Sequence, residues 1–452
     1  MAILKNSIHR LDITHLNDDA QGIGLLEGKP IIVEGVLPGE RVEIKAIKIA
    51  KAYVVGKLQT ILRPSPDRMT PFCPVFDRCG GCSVQHLAYP AQLALKTRRV
   101  REFTARLPAT TPIVVHDTLG MAQPRHFRHK AQYPVMPGHN GVALGFYAKH
   151  SHRLIEHRVC GVQADTLNHA RDIVKEFLET WRVSIYDETR HEGLVRHLVM
   201  RSALHTGEMM MTLVINGDEL PHQRELIQTV TRAMPNVTGI LLNSNRERTN
   251  IILGSRMELI YGVPQIRDQI GELTFAISPL AFYQVNPAQT EILYAKALEY
   301  AALTGEETVF DLYSGIGSLS LFLSRHARQV YGVEIVEDAV RDAIDNARLN
   351  SCKNVEFFSG AAETVIPDVV EQGLRADVVV LDPPRKGCEP AVLDTIIRMS
   401  PQRIVYVSCH LASLFRDLRV LVEHGYAVAE IQPVDMFPHT PHVECVASLV
   451  RR

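Results

Sequence analysis

The chain has 452 residues, enough for two or three domains, and its 46% hydrophobic and 22% charged residues are those of a folded globular protein. No apolar run is long enough to span a bilayer, and the first ten residues lack the apolar stretch of a signal peptide. A helical membrane protein is thereby excluded, and a cytoplasmic location is predicted, with the eight cysteines reduced or metal-bound. The net charge of −1 excludes binding to polyanions through overall charge alone.

Residues 1–60 read as all-β. Ile31-Ile-Val-Glu-Gly-Val36 leads into the turn Leu37-Pro-Gly-Glu40, after which Val42, Ile44 and Ala46 alternate with Arg41, Glu43 and Lys45. A period of two buries one face of a strand. Tyr53–Leu58 supplies a further strand, so the region predicts a small barrel of the kind that often binds oligonucleotides. The stretch Arg63-Pro-Ser-Pro-Asp-Arg68 reads as a linker.

Residues 61–272 read as an α+β central domain. Its first part, 61–150, holds twelve Lys/Arg against four Asp/Glu, a net +8. Arg98, Arg99, Arg101 and Arg106 fall on a helix expected to open after Pro90. Such a segment is either a phosphate-contacting face or a solvated helix surface. Cys73, Cys79 and Cys82 are tightly spaced around Gly80 and Gly81, and Cys160 is the next cysteine along. Three clustered thiolates and a distant fourth suit a [4Fe–4S] cluster or a four-thiolate zinc site, with unliganded thiols as a third possibility. The five-residue gap is unlike the paired spacing of common zinc knuckles.

From about 273 to the end, expected strands at 307–312, 330–335, 376–382 and 403–408 alternate with helices, predicting a doubly wound parallel sheet. Residues 308–318 read Thr-Val-Phe-Asp-Leu-Tyr-Ser-Gly-Ile-Gly-Ser, and the next expected strand closes on Glu334. A glycine turn lets backbone approach a ligand, and an acid at Glu334 can accept hydrogen bonds from ribose hydroxyls. A dinucleotide fold calls for a third glycine where Ser320 stands, and Asp311 near the strand's end suits a nucleoside without pyrophosphate. S-adenosylmethionine therefore fits better than NAD. Glycines that serve packing alone are the competing explanation.

Three further strand ends complete a constellation. Asp382 follows Val378–Leu381 and opens Asp-Pro-Pro-Arg, with Arg385 where amine methylases usually have an aromatic. Cys409 ends Arg403-Ile-Val-Tyr-Val-Ser-Cys, poised as a nucleophile or else a packed thiol. Cys352, Cys388 and Cys445 lack such placement and read as structural. Glu444 lies in the last apolar strand, costly to bury without a purpose unless it is a surface residue of an edge strand. A methyl donor, a thiol and a base together suit methylation of carbon 5 of a pyrimidine flipped out of its stack.

These residues resemble the uracil-5 RNA methyltransferases. The resemblance is carried by Ile277–Asn286, Asp311–Gly317, Leu381–Gly387, Val405–Cys409 and Gln432–Thr440 with His442–Glu444. It implies a Rossmann-like class I methyltransferase domain over 273–452 and an OB-like TRAM barrel over 1–60 that binds RNA. It also implies [4Fe–4S] ligation by Cys73, Cys79, Cys82 and Cys160 in the central domain. It assigns Gln284, Tyr313, Glu334 and Asp382 to S-adenosylmethionine, Cys409 to the nucleophile and Glu444 to the base. Barrel and cysteine set together imply the 23S rRNA branch, which makes 5-methyluridine, rather than the tRNA branch. No membrane and no obligate protein partner are expected. The family commonly has Asn-Pro after the nucleophile; here His410-Leu411 follows, read as a filled turn that leaves the thiol in place.

Overall fold

Residues 3–108, 112–139 and 141–452 are described by a computed structural model; the first two residues of the expected barrel region lie outside them. The chain divides into two units, one of Met1–Lys96, Phe146–Ile155 and Phe437–His442, the other of Thr97–Gly145, Glu156–Met436 and Val443–Arg452. Among the described residues, no helix is long and apolar enough to cross a membrane.

In the first unit, strands Ile8–Leu16, Gly22–Leu26, Lys29–Val33, Arg41–Ile49 and Val54–Arg63 close into a five-stranded barrel. The alternation of Arg41–Ile49 has the expected effect: Val42, Ile44 and Ala46 are fully buried and pack with Leu11, Ile31, Val33 and Val54. Closure removes free strand edges. Gly24 has no room for a side chain, because a Cβ there would lie 2.6 Å from the Asp12 carbonyl oxygen. The proline-rich stretch after the barrel is not a free tether. Glu40, fully buried, accepts the backbone N–H groups of Leu37 at 2.8 Å and Ser65 at 3.2 Å. Arg68 donates to both of its oxygens, at 2.5 and 2.9 Å.

The second unit holds two large sheets. One runs Arg256–Gly262, Val237–Ser244, Met209–Ile215, Val195–Ser202 and Lys130–Gly138, continuing into the strand that begins at Gly141. Every residue of Met209–Ile215 is buried, which explains its unbroken apolar run: both faces of this strand are covered.

The other sheet has eight strands in the order Val355–Ser359, Gln329–Glu334, Thr308–Leu312, Val378–Leu381, Arg403–Ser408, Glu444–Arg451, Tyr426–Val434 and Val114–Val115. The first five are mutually parallel, as the alternating rhythm predicts. Beyond them, Glu444–Arg451 is antiparallel to both neighbours. Tyr426–Val434 and Glu444–Arg451 are joined by a short loop without a crossover helix, and only antiparallel strands can be joined so directly. The short strand Val114–Val115, from the region read as central, pairs in parallel with Glu430 and Ile431. From Thr308–Leu312 the chain moves outward to Val355–Ser359, then returns to the other side at Val378–Leu381. That reversal is a topological switch point, where open α/β sheets bind ligands.

Candidate active site

The switch point gathers the sequence-predicted residues of the last domain on one edge. Parallel strands end there at Leu312, Leu381 and Ser408, each followed by a candidate residue: Tyr313, Asp382 and Cys409. Glu444–Arg451 runs the opposite way, so its first residue lies on that same edge.

The turn after Thr308–Leu312 is built for close approach. Tyr313, Gly315 and Gly317 take positive φ of 70°, 54° and 79°. Gly317 must lack a side chain, because a Cβ would meet the Phe357 ring at 2.8 Å, whereas at Gly315 nothing lies within 4 Å. Glu334 accepts the Gly315 N–H at 3.0 Å on one oxygen and the Val336 N–H at 2.9 Å on the other. Each oxygen keeps a lone pair for a ribose hydroxyl. Ile335 and Val336 beside it are 64% and 53% exposed, an apolar surface suited to a base. Ser320, in place of a third glycine, donates its hydroxyl to Asp311. The other Asp311 oxygen is buried without a partner among the described residues. Burial first, then the charges of Asp382 and Glu334, push the Asp311 carboxyl up to about 7. An orphaned acceptor, a pair of half-satisfied carboxylate oxygens and open space over a glycine fit a nucleoside cofactor.

Gln284 is buried in the loop between Leu273–Ile277 and the helix Pro287–Ala301. Asn286 fixes the end of that loop: its Oδ1 caps the helix through the Gln289 N–H, and its amide donates to the Met436 carbonyl at 3.1 Å. Tyr294 of this helix shares a hydrogen bond with Ser318 at 2.7 Å and feels the charges of Asp382, Asp311 and Glu444. Sequence reasoning missed Tyr294, since nothing in its helical spacing separates it from a core tyrosine.

Cys409 and Glu444 are brought together by register. Ser408 pairs with Cys445, so Cys409, which follows the one strand, and Glu444, which opens the other, lie at the same sheet edge, where the Glu444 charge reaches the thiol. Glu444 is buried inside the sheet rather than on its edge, and its Oε2 has no partner among the described residues. Burial and then the charge of Asp382 raise Glu444 to about 8, against the pull of Arg385. Burial raises Asp382 as well. The Cys409 thiol is raised above its ordinary value by burial, then by Glu444 and Asp382. Arg385 opposes this through its charge and a hydrogen bond to the sulfur. Arg385 was read in the sequence only as a mark against amine substrates. Its charge acts on both groups, and its place on a loop that leaves the same sheet edge was the available signal.

His410 caps the helix Leu411–Glu423: its Nδ1 accepts the Ser413 N–H at 3.4 Å and contacts the Ser413 hydroxyl at 3.1 Å. The ring is thus committed to the turn, and Leu411 is buried behind it. The same helix grips the Asp382–Cys388 loop. Ser413 donates to the Arg385 carbonyl at 2.9 Å, and Asp417 accepts the Cys388 N–H at 2.8 Å and the Tyr406 hydroxyl at 2.6 Å. Cys388 and Cys445 are buried packing residues; Cys352 is half-buried.

The four cysteines of the central region gain less support. Cys73 and Cys79 share one small apolar cluster, and the Gly81 N–H donates to the Cys79 sulfur at 3.4 Å. The Cys160 backbone is clipped by the Asn168 side chain through two bonds, at 2.9 and 3.1 Å. Among the described residues, no three His, Cys, Asp or Glu side chains gather around a point where one metal ion could sit. On the basic helix Tyr89–Thr104, Arg98 and Arg101 are ion-paired, with Glu102 at 3.7 Å and Asp117 at 3.1 Å.

The sequence model of the tRNA (uracil-5-)-methyltransferases matches residues 88–452, and that of the TRAM domain matches 4–58. The chain belongs to this methyltransferase family. It carries a TRAM domain, and its five-stranded barrel spans that match. An uncharacterised RNA methyltransferase of Halalkalibacterium halodurans is 46% identical over 445 residues, 98% of this chain and 97% of that one. One of Clostridium tetani is 46% identical over 444 residues, 98% and 96% of the two chains. Among solved structures, the tRNA (uracil-54, C5)-methyltransferase of Pyrococcus abyssi, in complex with S-adenosyl-L-homocysteine, superposes with a TM-score of 0.79. It is 28% identical, and the match covers 98% of this chain and all of that one.

Proposed function

We propose that this methyltransferase forms 5-methyluridine in RNA, using S-adenosylmethionine as donor and a covalent bond between Cys409 and carbon 6 of the target uracil. The meeting of Cys409 and Glu444 at one edge of the sheet carries this reading. Carbon 5 of uracil is a weak nucleophile until a thiolate adds at carbon 6 and makes it part of an enolate. S-adenosylmethionine supplies the electrophilic methyl group that carbon 5 takes up. Tyr313, Glu334, Gln284 and Asp382 would hold the donor. Arg385 stabilises the Cys409 thiolate. Glu444 then removes the carbon 5 proton, which returns the ring to aromaticity as the carbon–sulfur bond breaks and Cys409 is freed. A carboxyl raised by burial is basic enough for this proton.

RNA carrying 5-fluorouridine at the target tests the step. Fluorine cannot leave as a proton, so wild-type protein should be trapped as an adduct that survives denaturation and is absent with Cys409→Ala. Lack of any wild-type adduct overturns the mechanism.

The acceptor we favour is 23S rRNA, on the combination of a TRAM barrel with the four-cysteine set. A tRNA acceptor is the second reading, supported by the Pyrococcus abyssi enzyme, whose whole length matches this chain, barrel included. Methyl transfer to rRNA fragments and to purified tRNA, compared side by side, separates them. The set Cys73, Cys79, Cys82 and Cys160 is proposed as [4Fe–4S] ligands on the resemblance alone; no step of the reaction needs them. Iron and acid-labile sulfide in anaerobically purified protein, lost in Cys79→Ala, would support the cluster, and stoichiometric zinc would overturn it.

A further inference from the structure

Lys130 and Arg201 stand directly opposite one another on antiparallel strands, Lys130–Gly138 and Val195–Ser202. Cross-strand partners have Cβ atoms about 5 Å apart, and like charges there destabilise a sheet. The cost is raised by depth. Arg201 is 4% exposed, and Lys130 is half-buried. Burial pushes Lys130 down to about 8, and the charges of Arg201 and Arg128 push the same way. Arg201 is pushed down to about 10 by burial. Among the described residues, neither group forms an ion pair with a carboxylate within 4 Å, and the causes that shift them are burial, Arg128, Arg201 and Tyr283. The nearby acid, Asp268, accepts the backbone N–H groups of Leu204 at 3.1 Å and His205 at 2.9 Å.

The pair is tied to the loop that carries Gln284. Arg201 donates to the Ala281 carbonyl at 2.7 Å and stands 6.0 Å from the centre of the Tyr283 ring. The His129 N–H, beside Lys130, donates to the Val285 carbonyl at 2.8 Å. Two like charges set face to face at depth, without a counter-ion among the described residues, call for an anion from outside the chain. Because the loop they brace enters the proposed donor site, that anion arrives with the substrate.

We propose that Lys130 is a phosphate subsite for the RNA strand bearing the target uridine, with Arg201 behind it as a positioning residue that adds fixed positive potential. The proposal rests on the reading of the chain as an RNA methyltransferase and names how the acceptor is held next to the reacting base. Phosphate contacts fix register without reading sequence.

The test is Lys130→Met beside Lys130→Arg, in the full chain. RNA binding is measured by fluorescence anisotropy across a salt series, and donor binding by calorimetry with S-adenosylhomocysteine. Lys130→Met should bind RNA about tenfold more weakly, with a slope of log affinity against log salt shallower by about 0.7, the value for one contact to a single strand. Lys130→Arg should keep the wild-type slope, and both should bind S-adenosylhomocysteine as wild type does. An unchanged salt slope in Lys130→Met overturns the subsite, as does a loss confined to S-adenosylhomocysteine. Wild-type methyl transfer, assayed in parallel, reports on the enzyme reading separately, since the salt slope is readable whether or not turnover occurs.

Discussion

Cys409 follows the strand Arg403–Ser408, Glu444 opens its antiparallel neighbour, and the carboxylate pushes the thiol upward. The proposed base therefore hinders ionisation of the proposed nucleophile. Arg385 is the counterweight, lowering both.

Glu444→Gln should separate addition from release. The amide cannot take the carbon 5 proton, so the methylated adduct should accumulate on unmodified RNA, visible as a protein–RNA band on a denaturing gel. Turnover should fall by about a hundredfold to ten-thousandfold, the usual worth of a positioned base. Equal turnover in the variant would remove Glu444 from the mechanism.

The same carboxyl gives a pH dependence whose sign can be worked out. Its folded value, about 8, lies above the ordinary 4.5, so the folded protein binds a proton that the unfolded chain releases. Its contribution to stability is complete below about 4.5 and lost as pH rises through about 8. Glu444→Gln should therefore gain on wild type in urea unfolding between pH 5 and pH 8, while wild-type kcat/KM rises with pH over that range. A stability difference that shrinks with rising pH would contradict the buried, orphaned carboxyl.

Arg385→Ala should move the acid limb of the rate profile to higher pH, since both Cys409 and Glu444 lose the cation that lowers them. Arg385→Lys should fall between, keeping a charge but losing the planar fork. A profile merely scaled down, with no shift along the pH axis, would make Arg385 a packing residue.

The sequence made the donor half of the site readable, and the physical reason is locality. Asp311, Tyr313, Gly315, Gly317 and Glu334 lie within one strand–turn–helix–strand unit, where spacing alone fixes neighbours. The acceptor half depends on long-range pairing. Glu444 read equally as a surface residue of an edge strand, because its burial comes from Arg403–Ser408 on one side and Tyr426–Val434 on the other. Arg385 and Tyr294 were missed for the same reason: their partners are far away in the chain. In the barrel, the alternation of Val42, Ile44 and Ala46 was enough to place a buried face. The bond from Arg68 back to Glu40 left no periodic trace.

That bond predicts a stability effect outside the site. Glu40 is fully buried, and its carboxyl is held below the usual range despite the opposing effect of burial, by bonds from Arg68, Leu37 and Ser65. Removing one partner of a buried pair costs about 3–5 kcal/mol. Glu40→Gln leaves Arg68, whose side chain is 22% exposed, without its partner, so the loss in urea unfolding at pH 7 should lie at or below the lower end of that range. The stabilisation should be present above about 4.5, the ordinary value, and disappear as pH falls through the depressed one.

Asp417 tests whether the helix after Cys409 sets the geometry of the loop before it. Asp417→Asn keeps the size but exchanges one acceptor oxygen for a donor. The Cys388 N–H and the Tyr406 hydroxyl share one oxygen and the Arg416 guanidinium takes the other, so the new NH2 either faces Arg416 or displaces the two buried donors. A buried donor left unmade costs about 1–3 kcal/mol, so the melting temperature should fall. More telling is the rate. Cys388 ends the loop that holds Asp382 and Arg385, and a shift of about 1 Å in a reacting group can cost a hundredfold. The expected outcome is a fall in kcat larger than the change in KM for RNA, measured well below the new melting temperature. A variant that melts early but turns over normally would confine Asp417 to stability and leave the Ser413 bond to the Arg385 carbonyl as what positions the loop.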